Sequence, residues 1–303
     1  MLLGLYASAC LFLYVRQRQL IYRPSAVRSL SPNAPDFGMP YEDVWISVES
    51  ETIHAWWIPA DEKKQFIVLE NEPSHLFQKS KVMLYFCGVG NNMGDYNYLS
   101  RVAAFRQLGF SVLTFDYRGY GHSSGDFPNE QQLYADGEAV WQYLRDEREV
   151  AAEDIVIYGE SMGGAIALHT ALNHPNADAL ILQSTFTTMA EAISYRPITS
   201  LFPIEQILSE RFDSLGKIAA VEIPVLFIHG EEDSVVPVQM SQALYEATPG
   251  RKQIWRIPNA DHVSIYRPEV SYLKVIDTFM KSLEEGQSSR PTIENRGYRN
   301  QTH

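Results

Sequence analysis

Cysteine is scarce: the 303 residues hold two, Cys10 and Cys87, and the first lies in an apolar terminal segment. A disulfide framework is therefore not expected, which fits a reducing compartment. No group of cysteines and histidines has metal-ligand spacing, so neither a metal nor any other cofactor is expected. Basic residues are in deficit, 25 Lys and Arg against 37 Asp and Glu, for a net charge of −12. Such an acidic body argues against nucleic-acid binding, which is dominated by contacts to phosphates. No internal repeat is visible. The uncharged apolar start, Met1 to Val15, is shorter than the roughly 20 residues a transmembrane helix wants.

What is present suits one sizeable core: 45% of residues are hydrophobic and 12% aromatic. The length exceeds the usual single-domain size, but α/β folds often fill it as one domain. Asp43–Val48 and Thr52–Ile58 alternate as an antiparallel pair would. Ala60 to Ser80 is polar, with Phe66 to Leu69 embedded, and reads as an insertion or extra hairpin. Six further strands are predicted at Val82–Phe86, Phe110–Phe115, Ile155–Tyr158, Ala179–Leu182, Val225–Ile228 and Gln253–Ile257. Helices are predicted near 98–108, 130–144, 162–172, 238–247 and 268–283. Such alternation implies a mostly parallel sheet covered on both faces, with ligands at the carboxyl ends of its strands.

The stretch Gly159-Glu160-Ser161-Met162-Gly163 stands between an apolar strand and a small-residue helix. G-x-S-x-G in that context is a nucleophile elbow. Its glycines give room for a sharp turn, and the helix behind Ser161 points its positive end at a developing oxyanion. A serine needs a base and an orienting acid. Of eight histidines, His262 follows the strand-like run 252–257 and a short loop, near the end of the domain. His229 ends a strand and is read as supporting the site; the other six are read as structural or solvated. The acid is sought between serine and histidine. Glu231, Glu232 and Asp233 compete after the strand at 225–228, and Asp233 is favoured because it precedes the helix-start signal Val236-Pro237.

On these residues the chain resembles the α/β-hydrolases, and most of all the membrane-anchored and serine aminopeptidase-like branch. The likeness runs from about Tyr41 to Leu283. Besides the elbow it rests on Asp116-Tyr117-Arg118-Gly119-Tyr120-Gly121-His122-Ser123, on Gly230-Glu231-Glu232-Asp233 with Val236-Pro237, and on Ala260-Asp261-His262. The resemblance implies an α/β-hydrolase fold over 41–283 and a small cap at about 185–221. It also implies a backbone oxyanion donor after the third strand, where a His-Gly-Asn type turn is usual. Here Cys87-Gly88-Val89 replaces it, so the donors expected are the N–H groups of Val89 and Met162, without the usual imidazole brace. Cys87 itself is read as a small buried hydrophobe and not a nucleophile. Asp116 and Arg118 are read as fixing their loop.

The first 35 residues contain Arg16, Arg18, Arg23 and Arg28 and no acid. Apolar residues followed by arginines suggest a membrane anchor over 1–22, with the catalytic domain on the cytoplasmic side. A secretion or lipoprotein signal and a docked amphipathic helix remain as alternatives. The polar stretch 284–303 is expected to be a flexible tail. Thr185 to Val221, apolar and broken by Pro197 and Pro203, is either an acyl-chain pocket or ordinary packing.

The expected function is hydrolysis of carboxylic esters or thioesters of lipophilic acyl groups through an acyl-enzyme, the substrate being a small molecule or lipid. Two rivals stand beside it. One is a serine peptidase acting from the amino end, which needs a carboxylate for the substrate ammonium, Glu205 or Glu210. The other is a catalytically silent, membrane-associated protein that keeps the fold.

Overall fold

Patterning decides the strands. In the computed structural model, residues 2–25, 30–61, 68–69, 72–73, 80–263 and 270–288 are described. The strands among them are β1 (Glu42–Val48), β2 (Glu51–Ile58), β3 (Val68–Leu69), β4 (Glu72–Pro73), β5 (Val82–Phe86), β6 (Ser111–Phe115), β7 (Ile155–Glu160), β8 (Ala179–Gln183), β9 (Val225–Gly230) and β10 (Lys252–Ile257). β1 buries alternate residues, as a pleated strand with one wet face must. β5, β8 and β9 are buried along their whole length, the habit of strands covered on both faces.

Eight strands form one sheet in the order β1-β2-β6-β5-β7-β8-β9-β10. β1 pairs antiparallel with β2, and β2 with β6, while the remaining neighbours are parallel. β3 and β4 make a separate antiparallel ribbon inside the predicted polar insertion. The helices are α1 (Leu2–Ile21), α2 (Tyr96–Gln107), α3 (Glu130–Gln142), α4 (Met162–Asn173), α5 (Met189–Ser194), α6 (Ile204–Ile207), α7 (Ser214–Ile218), α8 (Val238–Ala247) and α9 (Val270–Ser288). Capping sets their starts. Asp95 accepts the Asn97 N–H ahead of α2, and Asn129 and Gln132 form a reciprocal capping box at α3.

Two hydrophobic cores result, one on each face of the sheet. Val140, Ile166, Leu168 and Leu244 bury one face beneath α3, α4 and α8. Phe105, Ile276, Phe279 and Met280 bury the other beneath α2 and α9. Each such side chain contributes about 1.5–3 kcal/mol. Between β8 and β9 the chain leaves the alternation for the region expected to be a cap. There α5, a short 3-10 turn at Pro197–Leu201, α6 and α7 follow in pieces. Pro197 opens the 3-10 turn and Pro203 precedes α6.

The two ends of the chain differ from expectation. Among the described residues no helix is long and apolar enough to cross a membrane, so α1 does not fit the expected single-pass span. Its final turns are docked on the cap. Gln17 is buried; its Oε1 accepts the Ser209 N–H at 2.7 Å, and Arg18 Nε lies 3.2 Å from Glu210. A cytoplasmic orientation read from a span therefore has no basis in α1. At the other end α9 continues to Ser288, into the stretch expected to be a tail, and residues 289–303 lie outside the described part.

Candidate active site

The elbow is built by exclusion of side chains. Ser161 stands between β7 and α4 with φ 52° and ψ −121°, a backbone conformation strained for any residue with a Cβ. Its N–H donates to the Gln183 carbonyl at 2.8 Å, and its own carbonyl accepts from Thr185 Oγ1 at 2.8 Å. A Cβ on Gly163 would lie 2.2 Å from the Phe86 carbonyl oxygen, and one on Gly159 would lie 2.5 Å from the Gly163 oxygen. Only glycine lets the elbow sit this close to β5.

Two loops on the same edge of the sheet are fastened to each other. Glu231 N–H reaches the Ile257 carbonyl and Glu232 N–H the Ala260 carbonyl, each at 3.0 Å. Gly230 packs against the Ala260 oxygen, which a Cβ would approach to 2.3 Å. This fastening places Asp233 beside His262. Nδ1 of His262 donates to Asp233 Oδ2 at 2.6 Å, and its Nε2 lies 3.2 Å from Ser161 Oγ. Serine, histidine and aspartate, drawn from 161, 262 and 233, thus meet in bonding reach. Glu231 and Glu232 are exposed, while Asp233 is buried.

Asp233 is unusually well held. Oδ1 accepts the N–H groups of Val235 and Val236, both at 2.8 Å, and Oδ2 also lies 3.2 Å from His229 Nε2. His229 Nε2 faces the Val236 carbonyl at 2.8 Å as well, so it must carry a proton; Nδ1 then accepts from Ser241 Oγ at 2.6 Å. Burial alone would raise the Asp233 pKa. Hydrogen bonds from His229 and His262, with the Val236 N–H, outweigh it and hold the carboxyl below the usual carboxylate range.

The loop carrying Val89 is braced without an imidazole. The Tyr117 hydroxyl donates to the Cys87 carbonyl at 3.0 Å, and Asp116 Oδ1 accepts the Met93 N–H at 2.7 Å. Tyr117 was legible as part of the motif 116–123, but its partner was not. Arg118 fixes the same region by a different route, pairing with buried Asp136 at 2.6 Å and with Glu49 at 2.9 Å. Cys87 lies beneath, its thiol 3.4 Å from Thr114 Oγ1, and burial pushes its pKa up to about 12.

A cavity of about 650 Å³ opens over Ser161, within the size range of small-molecule sites. Ser161, His262, Val89 and Met162 share it with apolar residues of the cap and, unexpectedly, with Leu13, Leu20 and Ile21 of α1. Among the described residues no cluster of three His, Cys, Asp or Glu side chains could hold a metal.

Comparison with known proteins agrees with this architecture. The family described as serine aminopeptidase, S33, a Hydrolase_4 group, matches residues 78–217. A Saccharomyces cerevisiae protein named as an uncharacterized membrane protein is 31% identical over 82% of this chain and 84% of its own. The Arabidopsis thaliana α/β hydrolase domain-containing protein WAV2 is 26% identical, covering 82% of this chain and 80% of that one. In structure, the Pyrococcus furiosus esterase Pf2001 superposes with a TM-score of 0.68 at 20% identity, over 86% of this chain and 97% of the esterase. The chain belongs to the α/β-hydrolase superfamily. Its eight-stranded, mostly parallel sheet with flanking helices is the α/β-hydrolase fold.

Proposed function

We propose that the protein is a serine hydrolase that cleaves carboxylic esters or thioesters of lipophilic acyl groups. The observation that carries this reading is the run from Asp233 through His262 to Ser161, with contacts of 2.6 Å and 3.2 Å. Ser161 Oγ attacks the acyl carbon while His262 Nε2 takes its proton. The tetrahedral oxyanion is held by the N–H groups of Val89 and Met162, two residues that line the same cavity as Ser161. Collapse breaks the bond from the acyl carbon to the leaving oxygen or sulfur, which receives the proton from His262. Water then repeats the sequence on the acyl-enzyme and releases the acid.

The lining of the cavity favours an acyl substrate over a peptide amino terminus. A carboxylate for an ammonium group is missing from its described lining. Glu205 is exposed and pairs with Arg211, and Glu210 is buried under α1, so neither candidate for that role reaches the cavity. The exposed leucines of α1, Leu2, Leu3, Leu5 and Leu11, with exposed Arg16 beyond them, suit a helix lying against an anionic lipid surface.

Labelling by a fluorophosphonate tests the reading. The folded protein is expected to react, and Ser161→Ala to abolish the adduct. Labelling that survives the substitution moves the nucleophile elsewhere, and no labelling of the folded wild type ends the proposal.

A further inference from the structure

Beneath the elbow, on the face of the sheet covered by α2 and α9, lies an ion pair that the proposed chemistry does not use. Arg101 of α2 pairs with Glu160, the residue before Ser161, and their side chains are 1% and 13% exposed. Tyr85 of β5 bridges the two. Its hydroxyl accepts from Arg101 Nη1 at 2.6 Å and donates to Glu160 Oε2 at 2.7 Å. Burial holds the Tyr85 phenol well above its ordinary value, so it keeps the proton it donates. The setting is aromatic: the ring of Tyr85 has Tyr98, Phe105 and Tyr158 around it at centroid distances of 6.3, 5.6 and 5.4 Å. A charge pair buried in this way adds little net stability over apolar side chains of the same volume. Stability alone does not account for its place.

Glu160 adjoins both halves of the proposed oxyanion hole. On one side it is joined through Ser161 to Met162, the first residue of α4 and one of the donors. On the other stands Gly88, next to the second donor, Val89. A Cβ on Gly88 would lie 3.7 Å from Glu160 Cγ, 3.6 Å from Ser161 Cβ and 3.1 Å from the Tyr98 hydroxyl. The elbow and the turn before Val89 therefore meet over Glu160. Tyr85 belongs to β5, the strand that runs into this turn, and β5 pairs in parallel with β7, the strand that ends in Glu160. The cluster thus ties both approaches to the hole to the buried guanidinium of α2. Glu160 is not among the described residues that line the cavity, so it acts through its neighbours and not on substrate.

We propose that Arg101, Tyr85 and Glu160 are positioning residues for the oxyanion hole, fixing the spacing between the N–H groups of Val89 and Met162. This rests on the serine-hydrolase reading and deepens it.

The test uses full-length protein with p-nitrophenyl octanoate as substrate and an alkyl trifluoromethyl ketone as inhibitor. Ser161 Oγ adds to the ketone carbon, its proton passes to His262, and the former carbonyl oxygen becomes an oxyanion in the hole. The double variant R101M/E160M replaces the ion pair by apolar side chains, a change that is often neutral or stabilising for a fold. Its melting temperature is expected to match or exceed that of wild type. Its kcat is expected to fall about 10–100-fold with KM within about twofold, because the hole acts on the transition state and not on the bound ester. The inhibition constant of the ketone is expected to rise by the same factor. Y85F removes the bridging hydroxyl and leaves both charges in place; it is expected to lose about 3–10-fold in kcat with the same pattern. A folded double variant with wild-type kcat and inhibition constant overturns the proposal, and so does a loss confined to KM. Where the double variant does not fold, Y85F decides alone by the same two readings. Fluorophosphonate labelling of the same samples separates the two levels. Labelled wild type with indifferent variants sinks only the positioning role, whereas unlabelled wild type sinks the hydrolase reading and this proposal with it.

Discussion

Tyr22, at the end of α1, donates its hydroxyl to the carboxylate of Glu210 in the cap, 188 residues further along the chain. The contact is fully interior: Tyr22 is 0% and Glu210 2% exposed. Burial first, then the Glu210 carboxylate, pushes the phenol pKa up, so the hydroxyl stays a donor at any working pH. The Tyr22 carbonyl in turn accepts the Tyr120 hydroxyl, which faces the Gly90 N–H beside Val89. The seat of α1 is thereby joined to the cap and to the proposed oxyanion loop at once. Removing the donor leaves a buried carboxylate short of a partner, so Tyr22→Phe is expected to cost about 1–3 kcal/mol in urea unfolding. Deleting residues 1–22 is expected to destabilise the protein further and to lower kcat, and not to liberate an intact catalytic body. A truncated protein with the parent's melting temperature and turnover would refute this account of α1.

Asp233 sets a pH dependence of stability whose sign follows from its surroundings. Its folded pKa lies below the ordinary carboxylate value, because the donors around it outweigh the cost of burial. The stabilisation is therefore complete above the unfolded pKa of about 3.9 and is lost as pH falls toward the folded pKa. The stability difference between wild type and Asp233→Asn is expected to be constant from pH 5 to pH 8, about, and to shrink below roughly pH 4. His229→Ala, which removes one of the donors at Oδ2, should move that loss to higher pH. A wild-type minus Asp233→Asn difference that grows on acidification contradicts the assignment.

Much of this was legible in the sequence where a local pattern carries the information. Strands β5, β7, β8 and β9 are apolar runs bounded by turns, and the expected ends differ from the observed ones by about two residues or fewer. Ser161, Asp233 and His262 each follow a strand, so the sheet brings them to one edge once its order is fixed. What stayed hidden depends on contacts far apart in sequence. Gln17 and Arg18 read as the polar end of an apolar segment, and nothing local reveals that Ser209 and Glu210 receive them. The tie of Tyr117 to the Cys87 carbonyl is of the same kind, since 30 residues separate the pair. His229 carried a partial signal, a histidine ending a buried strand, but its link to Asp233 required the turn between them.

Cys87 occupies the place of a usual brace without becoming reactive. Burial pushes its thiol up to about 12, and Asp116 adds to the rise, so the thiolate is a negligible fraction at pH 8. Cys10, by contrast, is partly exposed. Titration of the native protein with a disulfide reagent at pH 8 is expected to modify at most Cys10 and to leave hydrolysis intact, with the second thiol appearing only in denaturant. Rapid modification of Cys87 in the folded protein, together with loss of activity, would show that the thiol reaches the reaction.

Gly163 and Gly159 carry the closest backbone approaches at the elbow, and they fail for different reasons when a methyl is added. At Gly163 the new Cβ would lie 2.2 Å from the Phe86 oxygen and 2.4 Å from the Cys87 oxygen, so α4 or the Val89 loop must move. At Gly159 it would strike the Gly163 oxygen at 2.5 Å and the Ala167 Cβ at 2.6 Å, which lie within the elbow and α4. Overpacking of a tight site costs about 1–3 kcal/mol or more. Gly159→Ala is therefore expected to act mainly on stability, seen as a lowered melting temperature. Gly163→Ala presses on the carbonyls of Phe86 and Cys87, just ahead of the proposed oxyanion donor Val89, and a misaimed donor of that kind costs about a hundred- to thousandfold in kcat. The expected signature is a kcat loss for Gly163→Ala larger than its stability loss explains, read by comparing turnover with the fraction folded at the same temperature. Equal turnover per folded molecule in wild type and Gly163→Ala would detach the Val89 loop from the reaction.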